Sequence, residues 1–84
     1  MLQQYQQLCD KHLELHKQLV DRFSRMGRSV QDVQREMDTM NSQMDALWDR
    51  LASRGMENQV RNIHSEMCDS MNSYSKYAEA NKLF

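Results

Sequence analysis

Ten apolar residues, Leu19, Phe23, Met26, Val30, Val33, Met37, Met40, Met44, Leu47 and Leu51, follow one another at alternating intervals of four and three. The spacing averages 3.5 residues, the repeat of a helix that presents one narrow apolar seam to other helices. With Phe23, Val30, Met37, Met44 and Leu51 at position a, the d positions are Leu19, Met26, Val33, Met40 and Leu47. A stripe this narrow requires another helix to cover it. Nothing competes with the helical pattern: the 84 residues contain no Pro, while Gln, Met, Leu, Glu, Arg and Ala, all good helix formers, are plentiful. The expected fold class is all-α.

Two glycines decide how the helix is divided. Beyond Leu51 the frame meets Arg54 and Asn58 with Gly55 between them, and a new apolar series starts at Val60, Ile63 and Met67. It continues through Ser70 or Met71, Tyr74 and Tyr77 and ends near Phe84. Gly after basic residues at a helix end is the usual stop signal, so residues 53–57 are read as a break. Gly27 is ambiguous. Ser29 with Asp32 forms a possible capping box, which would divide the chain into near-equal segments 1–26, 29–53 and 57–84. Against this, the heptad phase passes intact from Met26 to Val30, which a loop would preserve by chance roughly one time in three or four. One interior Gly weakens a helix by only about 1 kcal/mol. The expected arrangement is therefore a long helix over 1–53 in a heptad coiled coil, a break at 53–57 and a second, shorter helix over 58–84. A three-helix bundle with turns near Gly27 and Gly55 is the alternative.

The long helix would be a rod of roughly 80 Å at 1.5 Å per residue. Extending the frame backwards puts Leu2, Tyr5, Cys9, His12 and His16 in the seam, whereas Tyr5, Leu8, His12, Leu15, Leu19 and Phe23 form a more apolar series after a four-residue stutter. Either frame broadens the apolar face, which suits three or more helices and leaves the N-terminal third uncovered in an isolated chain.

Charge and cysteine usage narrow the partners. Eleven Lys+Arg against twelve Asp+Glu give a net charge of −1, with no global pull toward nucleic acid or an anionic membrane. Arg22, Arg25, Arg28 and Arg35 make a local basic stripe, but Asp21, Asp32 and Glu36 dilute it and no aromatics are interleaved for base stacking. It reads as a solvated face. The two Cys cannot form a disulfide scaffold and fit a reducing compartment. No apolar run reaches a membrane span of about 18 residues and no signal-peptide layout is present, so the cytoplasm is the default location.

The chemistry-bearing residues are few. Cys9, His12 and His16 stand at i, i+3 and i+7 on one helical face, a spacing from which a thiolate and two imidazoles can reach one zinc ion. The competing reading is a polar layer that sets register, and no metal or cofactor is expected. No Gly-rich phosphate loop or nucleophile elbow occurs, and Asp45 and Asp49 lie on a solvated face beside Arg50, so no enzymatic role is expected. Met26, Met37, Met40 and Met44 fill d and a positions of the seam, the last three in succession, suited either to an adaptable interface or to an ordinary core. Trp48, at e, is placed to anchor a partner helix or to pack on the chain's own second helix. Leu47-Trp48 with Leu51 and Arg54 resembles a fragment of a spectrin-type three-helix repeat, in which a Trp packs in the bundle. The likeness is confined to residues 47–54 of a chain shorter than such repeats.

The pairs at g and e, such as Arg22 with Gly27 and Glu36 with Asn41, are not complementary ion pairs, so a two-stranded homodimer is not specified by charge. The expected function is a coiled-coil assembly module that joins or spaces subunits of a complex of helical proteins, as a homo-oligomer or in a mixed assembly. Its interface would comprise the ten seam residues with Trp48, Val60, Ile63 and Met67. The alternative is a monomeric three-helix bundle that binds a peptide or lipid head groups.

Overall fold

In the computed structural model, which describes residues 1–83, the chain forms three helices: α1 (Leu2–Val20), α2 (Val30–Ser53) and α3 (Glu57–Ala80). No strand occurs among the described residues, so the all-α expectation holds. Of the two arrangements weighed, the three-helix one forms. The continuous helix over 1–53 does not, because residues 21–29 interrupt it. The break expected at 53–57 falls at residues 54–56, and the second expected helix, 58–84, runs instead from Glu57 to Ala80. Phe84, the expected end of its apolar series, lies outside the described residues.

Local chemistry accounts for each boundary. The Ser29 hydroxyl accepts from the Asp32 amide at 3.1 Å and so caps α2, the start that the Ser29/Asp32 pair encodes. At the other end of α2, Gly55 takes φ +76. The Met56 amide donates to the Leu51 carbonyl and the Gly55 amide to that of Ala52, both at 3.0 Å. This is a Schellman stop, and it suits Gly because a left-handed residue with a Cβ is strained. α3 ends the same way, with Lys82 left-handed at φ +54 and the Leu83 amide on the Ala78 carbonyl at 2.9 Å.

Continuous heptad phase across Gly27 loses to packing. A straight helix would leave Leu15 and the α1 face uncovered, whereas folding back buries Tyr5, Cys9 and Leu15 against Val33, Met40, Met44, Leu47 and Leu51 of α2 and Val60 and Met67 of α3. Full burial of one Leu or Val contributes about 1.5–3 kcal/mol, so a handful of such residues outweighs the few helical turns given up in the hinge. The result measures 42 × 23 × 14 Å, half the length of the expected rod. α1 packs against both other helices, which touch each other far less.

Candidate functional site

Phe23 and Met26, both in the turn between α1 and α2, are the most exposed large apolar side chains among the described residues. Phe23 is 68% exposed, Met26 90% and Val30 40%, although all three belong to the heptad seam. The other seam residues are covered within the chain: Val33, Met40, Met44, Leu47 and Leu51 are buried, and Leu19 and Met37 pack half-buried against them. The seam is therefore divided: Leu19 and the part from Val33 onward are covered by the chain's own helices, while Phe23 and Met26 in the turn and Val30 at the start of α2 face solvent.

The turn is braced from several sides. Asp21, buried at the end of α1, accepts from the Phe23 amide and the Ser24 hydroxyl, both at 2.9 Å, and from the Tyr74 hydroxyl of α3 at 3.0 Å. Burial alone would raise the Asp21 carboxyl, but the bonds from Ser24, the Phe23 amide and Tyr74 outweigh it and hold the pKa below the ordinary carboxylate value. The Arg25 guanidinium donates to the Leu19 carbonyl at 3.0 Å and the Gln18 carbonyl at 3.4 Å, which satisfies the open C-terminus of α1. Arg28 pairs with Glu36 at 2.7 Å and donates to the Gln18 side chain at 3.2 Å. The Arg22 amide donates to the Leu83 carbonyl at 2.8 Å, while its guanidinium sits 5.0 Å from the centre of the Phe23 ring. Arg35 lies 3.9 Å from Asp32, so three arginines of the basic stripe are engaged by their own chain and Arg22 is left beside the exposed aromatic. Backbone strain marks the apex: Met26 is left-handed at φ +54, next to Gly27 at φ +86. A bulky residue held there stores on the order of 1 kcal/mol.

Cys9, His12 and His16 do share the buried side of α1, but they diverge. His16 Nε2 lies 2.8 Å from the Ser75 hydroxyl of α3, while His12 is influenced by Asn41 of α2. No group of three His, Cys, Asp or Glu among the described residues is close enough to share a metal ion. Burial is the main reason that the Cys9 thiol is pushed up to about 11, which keeps it protonated at neutral pH. Burial likewise lowers both His12 and His16, so they stay neutral. His12 Nδ1 has no hydrogen-bond partner. The arrangement is a polar layer in the core.

Trp48 packs inside the bundle, edge-on to Tyr5 of α1 at 6.0 Å and to His64 of α3 at 5.6 Å. Of the two placements expected for it, the chain's own helices take it. Val60 and Met67 are buried and Ile63 half-buried against the same core. Asp21 and Tyr74 escaped the sequence reading as organisers of the turn. An Asp followed three residues later by Ser, just past a helix, is the side-chain turn signal that could have found the first; the Tyr74 contact spans 53 residues and carried no local signal. No family model, curated protein or solved structure matches the chain.

Proposed function

We propose that this protein is a small helical assembly module that works through protein–protein contact at the α1–α2 end of the bundle, with no catalytic role of its own. Self-association is its simplest form. The observation that carries this reading is Phe23 and Met26 standing 68% and 90% exposed on a turn held by the Asp21, Arg25 and Arg28 bonds. Apolar anchors held in one conformation before contact lose little entropy on docking, which is how a few residues dominate an interface. Arg22 over Phe23 adds a cation beside the aromatic anchor. The reading of a head-group site is weaker, because Arg25 and Arg28 are committed inside the chain.

No described helix is long and apolar enough to cross a membrane. We place the module in the cytoplasm, where its two free thiols fit a reducing environment. The test is solution mass over a wide dilution series. Wild-type mass is expected to rise above the 10.0 kDa of one chain as concentration increases. Replacing Phe23→Ser and Met26→Ser together is expected to hold it at one chain without loss of helicity, since both side chains lie outside the core. A wild-type mass that stays at one chain throughout refutes self-association.

A further inference from the structure

Phe23, Met26 and Val30 are consecutive seam positions, and they are the seam residues that the folded-back chain leaves exposed. The sequence keeps heptad phase across the turn as though the helix continued, and contains no Pro to prevent it. We infer that the α1–α2 turn is a hinge, and that the module's partner is a second copy of this chain engaged by exchange of α1. The inference rests on the self-association proposed above and replaces docking of the intact turn by its opening.

In the exchanged form residues 21–29 become helical and join α1 to α2 as one helix over 2–53. α1 leaves its own α2 and α3 and docks on the same surface of the second copy. Every contact that Tyr5, Cys9 and Leu15 make in the closed chain is recovered across the pair, so the difference between the forms is confined to the hinge. Three features favour opening. Met26 leaves its left-handed conformation, the residues gain helical hydrogen bonds, and Phe23, Met26 and Val30 extend the existing α1–α2 seam where the two hinges pass each other. Opposing it are the turn's own bonds: Asp21 with Phe23, Ser24 and Tyr74, Arg25 with the end of α1, Arg28 with Gln18 and Glu36, and Arg22 with Leu83. The closed chain is therefore the dilute form and the exchanged pair the concentrated one.

Two hinge substitutions act in opposite directions. Gly27→Ala adds a Cβ that meets nothing within 4 Å, so the fold is kept, but the left-handed φ of +86 becomes strained and the helix gains propensity. Each hinge gains about fivefold in helix propensity alone, so the monomer–dimer constant should shift at least about thirtyfold toward the pair. Ser29→Pro is compatible with the closed-chain φ of −76 and gives up only the cap on the Asp32 amide there, whereas it breaks a helix running through the hinge. It should leave only monomer.

The mode itself is read from an intrachain distance. Spin labels are placed at Lys11→Cys and Gln43→Cys, with Cys68→Ser and with Cys9 shielded at 2% exposure, and the labelled chain is diluted into excess unlabelled protein. Lys11 and Gln43 line one depression between α1 and α2 in the closed chain. In the exchanged form they lie about 48 Å apart along a single helix. A dimer population at about that distance, enriched by Gly27→Ala and removed by Ser29→Pro, is the expected result. A dimer whose intrachain distance stays short means that intact bundles dock by their tips, which overturns exchange and leaves the assembly reading standing. Wild type and Gly27→Ala both monomeric to millimolar concentration overturn the two together.

Discussion

Leu51 and Phe23 occupy the same letter of the heptad, yet Leu51 is fully buried and Phe23 is 68% exposed. Their substitutions should therefore behave as if they belonged to different proteins. Leu51→Ala removes a side chain enclosed by α1 and α3 and should lower unfolding stability by about 2–5 kcal/mol, a large share of what an 84-residue chain possesses. Phe23→Ala takes away a side chain that mostly meets water and should change stability by no more than about 0.5 kcal/mol. Urea unfolding of both variants at micromolar concentration checks this, because dilution keeps assembly out of the comparison. Equal losses would mean that the Phe23 ring is covered in solution. Met26 shows the same division at the backbone: it is the most exposed of these side chains and sits in a conformation that most side chains avoid. The sequence marks both residues as apolar seam positions and carries no local mark of which seam positions lack cover.

The helix α1 differs from its neighbours in what it buries. Tyr5, Cys9 and His12 occupy its inner face beside Leu15, and His16 is half-buried one turn on. His12 feels His16 on its own helix, Asn41 on α2 and His64 on α3, and Tyr5 lies near Cys9, Asp45 and Cys68. Burial lowers the folded pKa of His12 and His16, so below the ordinary histidine value of about 6.5 the unfolded chain binds more protons than the folded one. Stability should be level between that value and about pH 8.5, where the unfolded thiol starts to ionise while Cys9 in the fold does not. It should fall as pH drops from about 6.5 toward the lowered folded values. A melting temperature that declines between pH 7 and 5, and declines less in His12→Gln, is the expected outcome; an unchanged slope in the variant would remove His12 from the cause. The end of α2 was legible because Gly55 acts within four residues of where it stands. Its start at Ser29 and Asp32 reads only as the alternative to a helix running through Gly27, since the unbroken heptad phase argues the other way. The end of α1 was not legible. No Gly or Pro stands near Val20, and what stops the helix there is the Asp21 network to Tyr74 together with burial against residues 30 to 60 positions away. A heptad repeat records that a seam must be covered, and the same letters serve whether the cover is a second chain or the same chain folded back.

For the molecule as a whole, the unequal contacts make α1 the element on which the others depend. α2 and α3 share a Schellman turn but touch each other little, and the inner residues of both face α1. Without α1, Val33, Met40, Met44, Val60 and Met67 would lose most of their cover, and isolated helices of 24 residues are marginal in water when packing does not support them. A fragment of residues 30–84 should therefore show weak helicity and no cooperative melting. Adding a peptide of residues 1–20 in trans should restore both, since the α1 contacts require no covalent link to α2. Circular dichroism titration of the fragment with the peptide measures this directly, with a saturable rise in helicity expected and a Leu15→Asp peptide as the inactive control. Restoration would show that the α1 surface and its receptor recognise each other as separate pieces, the property that exchange between copies requires. A fragment that melts cooperatively alone would instead make α2 and α3 the folding unit and α1 an accessory, and would remove the reason for the chain to fold back at all.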